Sequence, residues 1–220
     1  MDRRRFLRTS AITFAAATTP WPLDARSVAR QTPLTPDAAL RELVAGNQRF
    51  AANHPTASTH DLEILKARTV DKQQPFVAIL GCADSRVPVE LVFDQSIGAL
   101  FVARVAGNLA TPEIIASLEY AVAVLGVKAV LVLGHANCGA VKASMKAETV
   151  PGQISSLYPH IRPAIERAGG DVDRAIAANA QFQADLLRTS STVVRDALAR
   201  RKIDVKAGVY DLATGKVTLF

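Results

Sequence analysis

With 220 residues, 49% of them hydrophobic and 21% charged, the chain is long enough to bury one substantial core and lacks the charge-rich composition of a disordered protein. The formal charge of +6 is not a nucleic-acid footprint, because half of it lies in the first 29 residues, where five Arg stand against two Asp. Aromatic residues make up only 5% and do not alternate with Lys or Arg, which argues against a base-stacking surface.

The amino terminus reads Asp2-Arg3-Arg4-Arg5-Phe6-Leu7-Arg8 and runs into a weakly apolar stretch from Ser10 to Thr19 that is too short to remain in a bilayer. It resembles a twin-arginine export signal. Ser27 and Ala29 have the spacing of a cleavage site after Ala29, with Ala25 as the alternative. Residues 1–29 are therefore expected to be removed, leaving a periplasmic domain over 30–220 with no stable membrane span.

Thr35-Pro36-Asp37 is a helix start, and Leu40, Leu43, Val44 and Phe50 follow at roughly helical spacing, which predicts an amphipathic helix over 35–52. Pro75 precedes an apolar run, 76–81, of the kind that forms a strand buried in a parallel sheet; 100–103 is predicted to be a second such strand. A helix is expected over 112–125, opened by Pro112 and stopped by Gly126. The run 129–133 is almost entirely Val and Leu and predicts a third buried strand. From 171 to 200 a single helix is predicted, with Ile176, Ala180, Leu187, Val194 and Leu198 on one face. The segments 205–211 and 216–220, separated by Ala213-Thr214-Gly215, read as a closing hairpin. This alternation implies one α/β domain built on a mostly parallel central sheet flanked by helices on both faces, with no internal repeat or linker.

Only two cysteines are present, and in an oxidising compartment a Cys82–Cys138 disulfide is the plain alternative. Their surroundings argue for something else. Cys82 follows the first strand in Gly81-Cys82-Ala83-Asp84-Ser85-Arg86, while His135 and Cys138 follow the third in Gly134-His135-Ala136-Asn137-Cys138-Gly139. Ligands of open α/β sheets bind outside the carboxyl ends of strands, so both segments arrive at one edge. Two thiolates and an imidazole suit zinc, and three protein ligands leave a fourth position open, as in catalytic rather than structural sites. Either fragment alone is weak, since C-x-D-x-R also fits a buried thiol beside a surface ion pair and H-x-x-C also fits a helix start. Placed together after buried strands, they are far more specific.

With these two motifs the chain resembles the β class of carbonic anhydrases, whose hallmarks are C-x-D-x-R and H-x-x-C. The likeness runs from about Asn47 to Phe220 and takes in Gly46-Asn47-Gln48-Arg49-Phe50, Phe93-Asp94-Gln95, Phe101-Val102-Ala103-Arg104, Gly107-Asn108, Ser117-Leu118-Glu119-Tyr120-Ala121 and Cys138-Gly139-Ala140. The resemblance implies reversible hydration of carbon dioxide to bicarbonate, with zinc held by Cys82, His135 and Cys138. Zinc lowers the pKa of a water it binds from about 16 to about 7, so hydroxide is available at neutral pH. Asp84 would accept the proton-bearing side of that nucleophile and Arg86 would hold Asp84 bidentately; in some family members the equivalent Asp closes the site as a fourth ligand. Gln73, Phe101 and Tyr120 match positions of the substrate pocket, partly supplied by a neighbouring subunit, and the Gly139 amide matches one facing the bound anion. Phe101 and Tyr120 are equally compatible with ordinary core packing. A homodimer or higher homo-oligomer is implied.

Ile79 stands where members regulated by a noncatalytic bicarbonate site carry Trp, so no such site is expected; Gly98-Ala99 lacks the acidic residue usual after that glycine. His54, His60 and His160 have no partner at ligand spacing and read as surface or loop residues. Two alternatives stay open at this point. Relatives with the same zinc ligands act on carbonyl sulfide or carbon disulfide, and a noncatalytic zinc or disulfide module would use the same cysteines without needing Asp84 and Arg86.

Overall fold

The computed structural model describes residues 34–57 and 72–220; the expected export signal and His60 lie outside the described residues. Helix α1 spans Pro36–Ala51, and the Thr35 hydroxyl caps it by accepting from the Ala38 amide, with Pro36 in the first turn. The remaining elements follow in order: β1 Val77–Gly81, α2 Val89–Val92, β2 Leu100–Arg104, α3 Pro112–Tyr120, β3 Ala129–His135, α4 Gly139–Lys146, α5 Tyr158–Ala168, α6 Val172–Ser190, α7 Thr192–Ala199, β4 Asp204–Tyr210 and β5 Val217–Leu219. The sheet order is β2-β1-β3-β4-β5, parallel throughout except for the β4–β5 hairpin. This is the expected α/β fold.

Every residue of β1 and β3 is buried, as the unbroken apolar runs demand. Ala78, Leu80, Val130 and Val132 face a layer formed by Leu118 of α3, Ala180, Ala184 and Leu187 of α6 and Val194 of α7. Their strand neighbours Val77, Ile79, Leu131 and Leu133 turn the other way, onto Ala39, Leu40 and Leu43 of α1 and Val89 and Val92 of α2. Each fully buried Leu or Ile contributes about 1.5–3 kcal/mol, so these layers fix the strands whose ends carry the site.

Two helices were placed differently by the sequence. The single helix expected over 171–200 is two helices, broken at Ser191, whose backbone is extended (φ −96°, ψ 118°). Its hydroxyl accepts from the Val194 amide at 3.0 Å and donates to Glu119 at 2.6 Å, a capping arrangement that hydrophobic periodicity does not register. The helix expected over 112–125 is α-helical only to Tyr120, then widens into a π-turn over Ala121–Leu125 that ends at Gly126 in the left-handed region (φ 71°).

Helix α1 is stitched to the sheet by polar contacts. The Asn47 amide group donates to the Val92 and Gly215 carbonyls at 3.0 and 2.8 Å and accepts from the Val217 amide at 2.8 Å. Buried Asp94 takes hydrogen bonds from Arg49, from the Thr56 amide and hydroxyl and from the Ala57 amide. Burial alone would raise its carboxyl pKa; the bonds from Arg49, Ala57 and Thr56 outweigh burial and hold it at about 2. A carboxyl depressed on folding stabilises the protein above its unfolded pKa of about 4, and that contribution is lost as pH falls through about 2. Asp94→Asn should therefore cost about 1–2 kcal/mol at pH 7, allowing for the partial exposure of Arg49, and progressively less between about pH 4 and pH 2. Urea unfolding of both proteins across that range measures it; a deficit that does not shrink in acid would remove the charge from the explanation.

Candidate metal centre

Cys82 follows β1 directly and His135 is the last residue of the neighbouring β3, so two potential ligands leave adjacent parallel strands at their carboxyl ends. The chain then turns tightly through Asn137, which takes the left-handed conformation (φ 60°) open to Asn, and brings Cys138 back to the N-cap position just ahead of α4. Among the described residues, one ligand atom from each of Cys82, His135 and Cys138 lies within 4.8 Å of the others, and all three residues are buried. Both cysteines are free thiols, which corrects the disulfide alternative.

His135 is wholly buried, and its Nδ1 lies 2.9 Å from the Ala136 carbonyl. That contact makes Nδ1 the protonated nitrogen and leaves the Nε2 lone pair facing the cysteines with no hydrogen-bond partner. A buried nitrogen left so is costly unless something completes it. One of the two thiols is held as an anion. The hydrogen bond from Cys138, with further ones from the Gly107 and Asp84 amides, overcomes burial to bring Cys82 down to about 4, while the retained proton pushes Cys138 up. The Ala140 and Val141 amides at the start of α4 favour the Cys138 thiolate as well. For His135 burial disfavours the cation, but the charge on Cys82, the Ala136 carbonyl and the Asp84 carboxylate raise it overall. Soft, anion-forming sulfurs beside an orphaned imidazole nitrogen fit a soft divalent ion.

Asp84 stands at the rim, its Oδ2 3.8 Å from His135 Nε2. Arg86 holds it through three bonds: its amide and Nε donate to Oδ1, each at 2.9 Å, and its Nη2 donates to Oδ2 at 2.7 Å. The Arg86 guanidinium keeps the Asp84 carboxyl well below the ordinary carboxylate range despite partial burial. Arg104 fastens the same loop, its Nε donating to the Cys82 carbonyl at 2.8 Å and its Nη2 to that of Asp84 at 2.6 Å. This clamp follows from the register of β1 and β2, which sets Arg104 opposite Gly81.

The other expected site residues are arranged less tightly. Gly139 is exposed at the start of α4 with open space where a side chain would stand. Phe101 and Tyr120 pair on edge strand β2 and α3, ring centroids 6.4 Å apart, with Phe101 partly buried and Tyr120 47% exposed. Gln73 is exposed ahead of β1, and His54 and His160 are exposed as anticipated.

The sequence model of the family described as carbonic anhydrase matches residues 77–217, which contains all three candidate ligands with Asp84 and Arg86. The chain belongs to the β-class carbonic anhydrase family. It is 36% identical to a carbonic anhydrase of Mycolicibacterium smegmatis over 84% of this chain and 93% of that one, and 33% identical to carbonic anhydrase 2 of Mycobacterium tuberculosis over 84% and 92%. Among solved structures, the β-carbonic anhydrase CafA of Aspergillus fumigatus has a TM-score of 0.67 at 26% identity, covering 82% of this chain and 90% of that one. A Coccomyxa β-carbonic anhydrase in complex with acetazolamide has a TM-score of 0.62 at 28% identity, over 81% and 85%. Carbonic anhydrases interconvert carbon dioxide and bicarbonate, so this chain is an enzyme acting on a small-molecule substrate.

Proposed function

We propose that this carbonic anhydrase is zinc-dependent, with Cys82, His135 and Cys138 as the metal's protein ligands and the Asp84–Arg86 pair as its catalytic gate. The observation that carries this reading is the orphaned Nε2 of wholly buried His135, within 4.8 Å of the two cysteine ligand atoms. Zinc held there would supply a Lewis acid that makes hydroxide available near neutral pH. Asp84, kept ionised by Arg86, would accept a hydrogen bond from the nucleophile and so orient it toward the substrate carbon. With both Asp84 oxygens tied to Arg86, the carboxylate is held in one orientation. The Gly139 amide, at the first position of α4 where nothing crowds the residue's side-chain position, is suited to meet the bicarbonate anion. Elemental analysis of the purified protein should return one zinc per chain, and stopped-flow measurement should show carbon dioxide hydration exceeding hydrolysis of carbonyl sulfide or carbon disulfide. Metal-free active protein would defeat the ligand assignment, and a preference for a sulfur substrate would defeat the specificity.

The working unit we infer is at least a homodimer in the periplasm. Tyr120, 47% exposed, stands against Phe101 of edge strand β2, Val124 of the following π-turn is 50% exposed, and family resemblance assigns Phe101 and Gln73 to a pocket shared with a neighbouring subunit. The address rests on the Arg3-Arg4 signal and the apolar run after it; no helix among the described residues is long and apolar enough to cross a membrane. Cells making the full chain should release the activity with the periplasmic fraction, and protein recovered there should sediment as a dimer or larger. Cytoplasmic retention would overturn the address, and a fully active monomer the assembly.

A further inference from the structure

Helix α6 packs an apolar stripe of Ala175, Ile176, Ala180, Ala184 and Leu187 onto the sheet, yet two amides interrupt it four residues apart: Asn179, 1% exposed, and Gln183, wholly buried. Burying two amides on a helix face costs free energy unless each polar atom is answered, and here each is. The Asn179 Nδ2 donates to the Gly107 carbonyl at 2.8 Å. Gln183 accepts from the Ala110 amide at 2.9 Å, and its Nε2 donates to the His160 carbonyl at 3.0 Å and to Asn179 Oδ1 at 3.2 Å. The pair therefore grips both ends of the segment 107–110. The gripped residue reaches the metal centre, because on the other side of its Cα the Gly107 N–H donates to Cys82 Sγ at 3.3 Å. Gly107 sits in the left-handed region with φ +78°, and a side chain there would press on Ile161 at 3.2 Å, so glycine is the residue that fits this position.

We infer that Asn179 is a positioning residue of the metal centre: working with Gln183, it anchors the Gly107 carbonyl and so holds the Gly107 backbone where the N–H on the other side of its Cα stays bonded to the Cys82 sulfur. The inference rests on the zinc-site reading above. A hydrogen bond to a ligating sulfur withdraws electron density from it, and the groups that orient such ligands set affinity as well as geometry. An apolar residue at 179 would pack against the same layer but would leave the Gly107 carbonyl unanswered and its N–H free to turn away from the sulfur.

The test uses the full processed protein substituted with Co(II), whose sulfur-to-metal charge-transfer absorption reports the thiolates directly. Asn179→Ala removes both bonds, and Asn179→Asp keeps the shape and the acceptor for Gln183 while losing the donor to Gly107, so either variant that folds carries the test. Leu187→Ala, on the same helix and in the core away from the cysteines, is the control for general loosening. Either Asn179 variant should move the charge-transfer band to lower energy and weaken metal binding by roughly 10–100-fold in competition with a chelator, the usual effect of losing an outer partner. The Leu187 variant should melt earlier with band and affinity unchanged. Asn179 variants that match wild type in band and affinity, or that change only as Leu187→Ala does, would overturn the inference. Wild-type protein lacking any thiolate charge-transfer band would instead overturn the metal assignment on which it rests.

Discussion

Arg86→Ala should lower carbon dioxide hydration by more than about 10²-fold while zinc stays near one per chain, the low end of what a positioned proton-handling group contributes. The mutation removes the Nε and Nη2 bonds and leaves Asp84 only the backbone amide of residue 86. Asp84 Oδ2 already lies 3.8 Å from His135 Nε2, so a freed carboxylate has a short way to travel to the metal position and close it. The salt bridge is half exposed on the arginine side and adds little to stability, so the loss belongs to function rather than folding. Arg86→Lys should also lose most activity, because an ammonium cannot reproduce the two-pronged guanidinium contact. Asp84→Asn should impair turnover without emptying the site, since Asp84 is bonded to Arg86 and is not one of the three proposed ligands. The measurements are hydration rate, zinc content and metal coordination by X-ray absorption. Near wild-type rates for Arg86→Ala with no carboxylate oxygen on the metal would make the pair structural only.

The grouping of Cys82, His135 and Cys138 and the pairing of Asp84 with Arg86 were legible because their chemistry is local. Cys82 and Asp84, like His135 and Cys138, lie two or three residues apart at the ends of strands whose apolar runs announce burial, and parallel pairing of β1 with β3 brings the two segments together. Arg104 was visible only as part of a familiar segment, since its hold on the Cys82 and Asp84 carbonyls depends on the β1–β2 register, and register is a property of pairing. Asn179 and Gln183 left a fainter sign, two amides at helical spacing inside an apolar stripe, which invites the question of what answers them but does not identify Gly107 and Ala110. The break at Ser191 was hidden for a related reason: Val194 and Leu198 continue the hydrophobic period across it, and only the contact with Glu119, 72 residues earlier, reveals the cap.

The largest expected effect on stability falls far from the cysteines, at Gly46 in α1. Replacing an interior helical glycine with alanine ordinarily gains about 1 kcal/mol from helix propensity. At this position the new Cβ would stand 1.9 Å from the Phe93 carbonyl oxygen and 2.9 Å from its carbon, atoms of a backbone held in the turn after α2. A flexible side chain could swing aside; this peptide cannot without moving α2 or lifting α1. Lifting α1 would strain the Asn47 bonds to Val92, Gly215 and Val217 and the Arg49 contact with Asp94. Overpacking costs about 1–3 kcal/mol, and each buried polar group left unanswered adds about 1–3 more, so the clash outweighs the propensity gain. Gly46→Ala should therefore destabilise the protein by about 2–4 kcal/mol, lowering the melting temperature by about 5–15 °C for a domain of this size. Gln48→Ala, two residues along and exposed, is the control and should stay within about 0.5 kcal/mol of wild type. A Gly46→Ala protein that melts at or above the wild-type temperature would show that α1 has slack against the Phe93 turn, and the close approach would lose its place as the reason for glycine there.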